Sequence, residues 1–524
     1  TGCGSDKGSS SAKSTSAASA ANDTVDEDGK VNGIMYQEGL PLVDEGAYTF
    51  SIFCDDSSES GEFIMLDEFK KQTNVDVDLK IYPYETATER LNLDLNSGDY
   101  ADVIGGWTLS DNAILTYGVN QGVFIPLEDY FEKYCPNISA ILDLPGVREK
   151  MTAPDGHIYT IPYVCADSTV GYSPYINTKW LENVGMSMPT TTDEFEAVLK
   201  AFKEQDANGN GDASDEIPFS TDPNNKHIEA MAGYFGLPMN KLGIAIQNEK
   251  VVYGGVSDTY REFLSWFHKL YAEGLVDVEL YTQDSSTWEG KGNQDLYGVS
   301  IAYGSGEFTG IPAAEERGDF DSMPVLNTDK DGIWLRDTEG FSVYRTQAVI
   351  TNKAEHPEII CRWFDNAFAL ENGIGCNRGP VGVIVNKEDD GYHAIDTTTL
   401  SEEDQEKYSW GNLWPQSLPK YLPADFEFVE EHPMYDEKKA TEEAYEANLT
   451  KEIIPSYWID LDKIDTFSDT NTAIKDFFEQ QQAQFVCGEL DIDNDADWQA
   501  YVDGMYSLGL EDWVATQGIE EIAK

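Results

Sequence analysis

Apolar and polar residues alternate from Tyr48 to Cys54, a pattern that predicts a half-buried strand. Phe63, Leu66 and Phe69 then recur at helical spacing over residues 60–72. Val75 to Tyr82 alternates again, Thr86 to Ser97 fits a second helix, and Ala101-Asp102-Val103-Ile104 is a short apolar run closed by Gly105-Gly106. Strand–helix–strand–helix–strand predicts a parallel sheet with crossover helices. Ligands of such sheets gather at the carboxyl ends of the strands, which singles out Asp55, Asp56, Ser57 and Trp107.

Further on, residues 155–163 read as a hairpin leading into a crossing between domains. A helix starts near Trp180. A second begins after Thr191, with Glu194 three places on as a capping box and Phe195, Val198, Leu199 and Phe202 on one face. Tyr260, Phe263, Leu264, Phe267, Leu270 and Tyr271 mark another amphipathic helix. Gly298–Tyr303 and Ala348–Ile350 read as buried strands. The helix after His356-Pro357 carries Trp363, and the C-terminal third is largely helical. Trp180, Trp363 and Trp498 lie on helical faces and are assigned to cores.

The helix after Thr191 runs into the densest chemistry of the chain. Asp206, Asn208 and Asn210 place oxygen side chains at alternate positions, and Gly211 stands where an EF-hand-type loop must turn. Asp212 follows, and Asp215 and Glu216 close the segment one residue early. Hard oxygen ligands at this spacing suit a structural Ca²⁺ rather than a transition metal. The alternative is a solvated Asn/Gly turn.

Composition narrows the function classes. The 524 residues allow two or more domains, and the net charge of −61 disfavours nucleic acid and anionic membrane surfaces. No run of 18 apolar residues offers a membrane span. The seven cysteines form no CxxC pair, and Cys361 with Cys376 is the pairing considered. Cys3 stands apart: Thr1-Gly2-Cys3 reads like the end of a bacterial lipoprotein signal, followed by a polar tether rich in Ser, Ala and Lys.

Several motifs occur in a telling order: Asp102-Val103-Ile104, Gly122-Val123-Phe124-Ile125-Pro126-Leu127, Tyr159-Thr160-Ile161-Pro162-Tyr163 and Pro189–Phe195. The Asp206–Gly211 loop, Glu273–Asp277, His356-Pro357-Glu358 and Trp498–Val502 follow. Together they resemble the family 1 extracellular solute-binding proteins of bacterial ABC importers, in particular the large calcium-containing subgroup of the alginate-oligosaccharide-binding proteins. The resemblance implies a two-lobed, periplasmic-binding-protein-like (type II-like) α/β fold with a helical C-terminal part. The expected division is a lipidated tether over 1–45, a first lobe of 46–164 plus 299–347, and a second of 165–298 plus 348–524. It implies a non-enzymatic, monomeric protein, anchored through Cys3 to the outer face of a bacterial, Gram-positive membrane. Such a protein would hand an oligosaccharide to the importer's membrane subunits. Asp491, Asp493, Asp495 and Asp497 read as helix-capping acids rather than a second calcium loop.

A neutral glycan on so acidic a protein calls for aromatic platforms, with amides and carboxylates for its hydroxyls. Trp107, Trp288, Trp334, Trp410 and Trp414, in loop-like contexts, are the platform candidates. Asp55, Asp102, Tyr172, Arg336 and Arg378 are the polar ones. The competing readings are a secreted glycan hydrolase and a lipoprotein that binds peptide or another small solute. Neither HExxH nor GxSxG is present, and six scattered histidines disfavour transition-metal capture.

Overall fold

The computed structural model describes residues 19–56, 61–223, 227–310, 318–429 and 433–524. Cys3 and Ser57 lie outside the described residues. Two compact units emerge. One comprises residues up to 164 with 343–388 and 394–422, and the other 165–342, 389–393 and 423–524.

The strands of the two large sheets, in chain order, are β1 (Tyr48–Asp55), β2 (Val75–Tyr82), β3 (Val103–Gly105), β4 (Thr160–Ala166), β5 (Ser173–Asn177), β6 (Ile217–Thr221), β7 (Tyr297–Ala302), β8 (Phe320–Ser322) and β9 (Phe341–Ile350). The helices that matter here are α1 (Ile64–Thr73), α2 (Tyr84–Ser97), α3 (Thr192–Glu204), α4 (Asp258–Ala272), α5 (Pro357–Ala367), α6 (Pro433–Tyr445) and α7 (Ile464–Cys487).

The first unit holds the sheet β2-β1-β3-β9-β4. β1 runs parallel to β2 and to β3, with α1 and α2 as the crossovers, while β9 returns antiparallel to β3. Residues 155–163 make no hairpin: a turn leads into the single strand β4. Phe50, Ile52, Phe53, Val103, Ile104, Val349 and Ile350 are buried, as a sheet covered on both faces requires. Trp363 of α5 meets Phe50 and Phe69 edge-on and stacks on Trp414 at 5.7 Å between centroids.

The second unit holds the sheet β8-β5-β7-β6, with β7 parallel to β6 and antiparallel to β5. α3 begins as its sequence requires: the Thr191 hydroxyl accepts the Glu194 N–H at 3.1 Å. The Glu194 carboxylate closes one residue further back than a capping box, on the Thr190 N–H at 2.8 Å. Phe195, Val198, Leu199 and Phe202 are buried, and α4 presents Tyr260, Phe263, Leu264, Phe267 and Leu270 to the same core. Trp180 and Trp498 lie in this core too.

The expected division of the chain needs two corrections. Residues 299–342 stay with the second unit, because β7 and β8 pair with β5. Residues 348–388 and 394–422 join the first, because β9 pairs with β3 and α5 covers β1. The segment 19–45 is also no tether: Ala20, Val31, Met35, Leu42 and Val43 are buried. It is pinned by Tyr134 on Asp23 and by Asn32 on Glu358, at 2.8 and 2.9 Å. Cys361 and Cys376 are free thiols and form no disulfide with each other. No described helix is long and apolar enough to cross a membrane.

Trp363→Ala removes a large side chain that is 1% exposed and touched by four aromatic rings. The expected loss is about 3–5 kcal/mol, read as a shift of the first unit's transition in urea unfolding.

Candidate functional site

In the first unit the parallel strands β1 and β3 end on one sheet edge, at Asp55 and Gly105. Gly106 follows with φ of 124°, a backbone setting that favours glycine, and a Cβ there would meet the Asp55 carboxylate at 2.4 Å. Asp55 is buried and accepts the N–H groups of Trp107 at 3.0 Å and Thr108 at 2.6 Å, along with the Thr108 hydroxyl. These bonds turn the chain sharply and leave the Trp107 ring 45% exposed. Tyr344 from β9 meets that ring edge-on at 5.2 Å, and Tyr163 from β4 lies 6.2 Å away. Tyr163 and Tyr344 stack on each other at 5.4 Å. The buried Lys420 places its ammonium 5.8 Å from the Tyr163 centroid and 5.3 Å from that of Trp410, whose ring is 57% exposed. Gln416 links the parts: its side-chain amide donates to the carbonyls of Trp410 and Trp414 at 2.9 Å, and its N–H bonds Asp56 at 2.7 Å. The product is an aromatic face of Trp107, Tyr163, Tyr344 and Trp410 over a carboxylate-pinned turn.

The second unit builds a comparable edge. β6 and β7 end at Thr221 and Ala302, and antiparallel β5 begins opposite, with Ser173 paired to Ala302. Tyr172 and Tyr303 therefore sit side by side in the backbone. The Tyr172 ring stacks on His227 at 4.1 Å and 11°, and Tyr303 meets it edge-on at 6.1 Å. The Tyr303 hydroxyl donates to Asp167 at 3.0 Å, and Asp337 accepts the Gly171 N–H at 2.6 Å. Desolvation by the surrounding protein pushes the carboxyl of Asp337, itself an exposed residue, up to about 6 and holds the half-buried His227 imidazole down at about 4. Hydroxyls and carboxylates beside flat rings are the groups that bind a polyol with apolar ring faces.

Of the residues singled out by sequence, Trp107, Trp410 and Tyr172 lie on these two faces. Asp55 shapes the turn beneath one of them. Trp288, Trp334 and Trp414 are corrections. Trp288 is 3% exposed and donates its indole N–H to Ser300 at 3.1 Å. Trp334 packs against Tyr234 and Tyr445, and Trp414 stacks on Trp363. Their Gly-, Pro- and Asp-rich surroundings fold inward, so loop composition did not mean exposure. Asp102 is a fourth correction: it stands at the amino end of β3 and bonds the Ser51 N–H at 2.8 Å. Arg336 is committed to the Thr450 carbonyl and to Glu446, both at 3.0 Å. Arg378 bonds the carbonyl of Asn377 at 3.3 Å, and burial lowers its proton affinity. Tyr163, Tyr303, Tyr344, His227, Lys420 and Lys438 were missed. Tyr163 and Tyr303 carry a usable signal, since each stands in or just beyond an apolar strand.

The Asp206–Glu216 loop closes on itself. Gly211 donates to Asp206 at 2.9 Å, Asn210 to the Asn208 side chain at 3.0 Å, and Asp212 to the Asn210 side chain at 2.7 Å. The side-chain amides of Asn208 and Asn210 both bond Asp215, at 3.0 and 2.6 Å. One oxygen each of Asp206 and Glu216, Oδ1 and Oε2, is buried without a hydrogen-bond partner. Burial, aided by the Asp215 charge, raises the Glu216 carboxyl. Buried carboxylate oxygens lacking donors fit a hard cation, which would supply the missing countercharge.

Comparison with known proteins places these features in context. A family model described as bacterial extracellular solute-binding protein matches residues 57–373, more than half the chain. A fructooligosaccharide ABC transporter substrate-binding protein of Streptococcus pneumoniae, FusA, is 33% identical over 335 residues, 62% of this chain and 61% of that protein. The alignment thus spans about three-fifths of that relative. Its structure with kestose superposes with a TM-score of 0.76 at 26% identity, covering 90% of this chain and 98% of the other. The structure of its EF-hand mutant with fructo-nystose gives 0.74 at 27% identity, over the same shares. The alginate-binding protein AlgQ2, at 22% identity with a TM-score of 0.71 over 92% and 99%, shares the fold.

Asp337 carries a pH prediction. Its folded carboxyl holds a proton up to about 6, against 3.8 ordinarily, so its contribution to stability is full below 3.8 and lost as pH rises through 6. Asp337→Asn removes that dependence. Urea midpoints measured from pH 4 to 7 fall less steeply with pH in the variant than in the native chain.

Proposed function

Since the chain belongs to the bacterial extracellular solute-binding protein family, we propose that it captures an oligosaccharide for an ABC importer. The aromatic face of Trp107, Tyr163, Tyr344 and Trp410 is the observation that carries this reading. Three of those residues, Trp107, Tyr344 and Trp410, are exposed on a fold that buries most of its aromatic residues. Each sugar ring that stacks there removes apolar C–H surface from water, while its hydroxyls keep their hydrogen bonds. The Tyr172–His227–Tyr303 face serves the same chemistry in the second unit. FusA binds fructooligosaccharides by name, which favours a neutral glycan here as well. So does the commitment of Arg336 and Lys420 to protein partners, which leaves them unsuited to pairing with uronates.

On this reading Asp206, Asn208, Asn210, Asp212, Asp215 and Glu216 hold a structural Ca²⁺. The unpartnered oxygens of Asp206 and Glu216 support it, as does an EF-hand in FusA. The protein works as a monomer, tied through a lipid on Cys3 to the outer face of a Gram-positive membrane, and loads the importer's membrane subunits.

Thermal shift against neutral oligosaccharides, fructans included, gives a saturable rise for at least one of them. Trp107→Ala weakens that binder about tenfold or more in calorimetric titration and leaves the unliganded melting temperature within about 2 °C. No shift with any glycan, alongside release of reducing ends from a polysaccharide, would replace this reading with the hydrolase. For the loop, chelation by EDTA lowers the melting temperature and Ca²⁺ restores it. In Asp206→Ala neither treatment changes it.

A further inference from the structure

Tyr172 and Tyr303 of the second unit's aromatic face stand on two separate loops, one before β5 and one after β7. Helix α6 bridges both. Its Glu437 accepts the Ser305 N–H at 2.7 Å and hydroxyl at 2.6 Å. Its Glu442 accepts the Thr169 N–H and the Ser168 hydroxyl, each at 2.8 Å. Between them Lys438 donates to the carbonyl of Gly171 and, at 2.7 Å, to that of Tyr303. The same ammonium lies 4.0 Å from the centroid of the Tyr303 ring. One side chain therefore holds the residue preceding Tyr172, the backbone of Tyr303 and the face of its ring.

We propose that Lys438 is the positioning residue of this face: its ammonium fixes the spacing between Tyr172 and Tyr303 that a bound sugar requires. The proposal rests on the reading of the face as sugar-binding. A positively charged donor strengthens both carbonyl bonds and is drawn to the π-face as well. A neutral side chain here would also remove the cation on which the charges of Asp337, Glu442, Glu307 and Asp167 act.

A pH signature separates positioning from mere support. Burial brings the Lys438 ammonium down to about 8 from the usual 10.5. Among its neighbours, Asp337 titrates near 6, His227 near 4, and burial lifts the Tyr303 phenol far above its usual range. Raising pH through 8 discharges Lys438 and weakens binding. Stability responds in the opposite sense: between 8 and 10.5 the unfolded chain holds the proton that the folded one has released, so this group's contribution rises with pH.

The test uses the full chain, with nystose, cellotetraose and maltotetraose as probes, in native, Lys438→Met and Lys438→Arg forms. For a probe that the native protein binds, Lys438→Met weakens affinity about tenfold or more. Native affinity falls between pH 7 and 9.5. Lys438→Arg keeps most of the affinity and loses the pH dependence, because a guanidinium stays charged. Hydrogen exchange of residues 168–173 and 303–307, read without sugar, quickens in Lys438→Met. Native-like affinity and exchange in Lys438→Met, or a flat native pH profile, overturns the proposal. If the native chain binds none of the probes, the sugar reading of this face is what fails against them. Exchange then still decides the positioning role: faster exchange in Lys438→Met upholds it and unchanged exchange overturns it. Should Lys438→Met not fold, the native and Lys438→Arg pH profiles decide in the same way.

Discussion

A carboxylate taken out of water costs several kcal/mol unless N–H and O–H groups replace the lost solvent. With 96 acidic residues and a net charge of −61, this chain meets that requirement repeatedly, and its loops are built around the answers. Asp55 draws in the N–H groups of residues 107 and 108, and the turn it enforces is what leaves Trp107 pointing outward. Asp365, pushed up to about 6 by burial, gathers donors from the Asn137 side chain and from the Ile138 N–H in the first turn of the helix Pro136–Leu142. Asp337 and Asp167 do the same at the edge of the second sheet. Where donors run short, as at Asp206 Oδ1 and Glu216 Oε2, the loop has the composition of a cation site.

Each unit thus repeats one device. Strands end on a shared edge, acids pin the loops that leave it (Asp55 and Asp56 buried, Asp167 half-buried and Asp337 exposed), and the pinned backbone presents aromatic rings. A lysine stands behind each set, the buried Lys420 under Tyr163 and Trp410, and the half-buried Lys438 under Tyr303. The ammonium groups are spent on carbonyls, amides and ring faces, so neither offers a strong anion site. That arrangement fits the proposed neutral glycan, and the family is one of solute-binding proteins.

Local patterns were readable in advance where local physics decides. The alternation of β1 and β2, the capped start of α3 and the oxygen-rich composition of residues 206–216 all depend on neighbours in sequence. Long-range pairing was not readable. Nothing within residues 341–350 says that β9 returns antiparallel beside β3, so the later half of the chain was divided wrongly between the units. Exposure failed for the same reason. Trp414 and Trp410 share one loop, yet the first stacks on Trp363 in the core and the second lies on the surface. His227 and Lys438 gave no signal, because a lone histidine and a lysine on an acidic helix acquire meaning only beside Tyr172 and Tyr303.

The central claim is that exposed rings on the pinned turns meet a sugar. Intrinsic tryptophan fluorescence tests it directly, because Trp107 and Trp410 are largely exposed whereas Trp288, Trp334 and Trp414 are buried. Saturation with a bound oligosaccharide shifts the emission to shorter wavelength and lowers acrylamide quenching. The account predicts that both changes persist in Trp288→Phe and disappear in the double variant Trp107→Phe, Trp410→Phe. Undiminished changes in the double variant would contradict it.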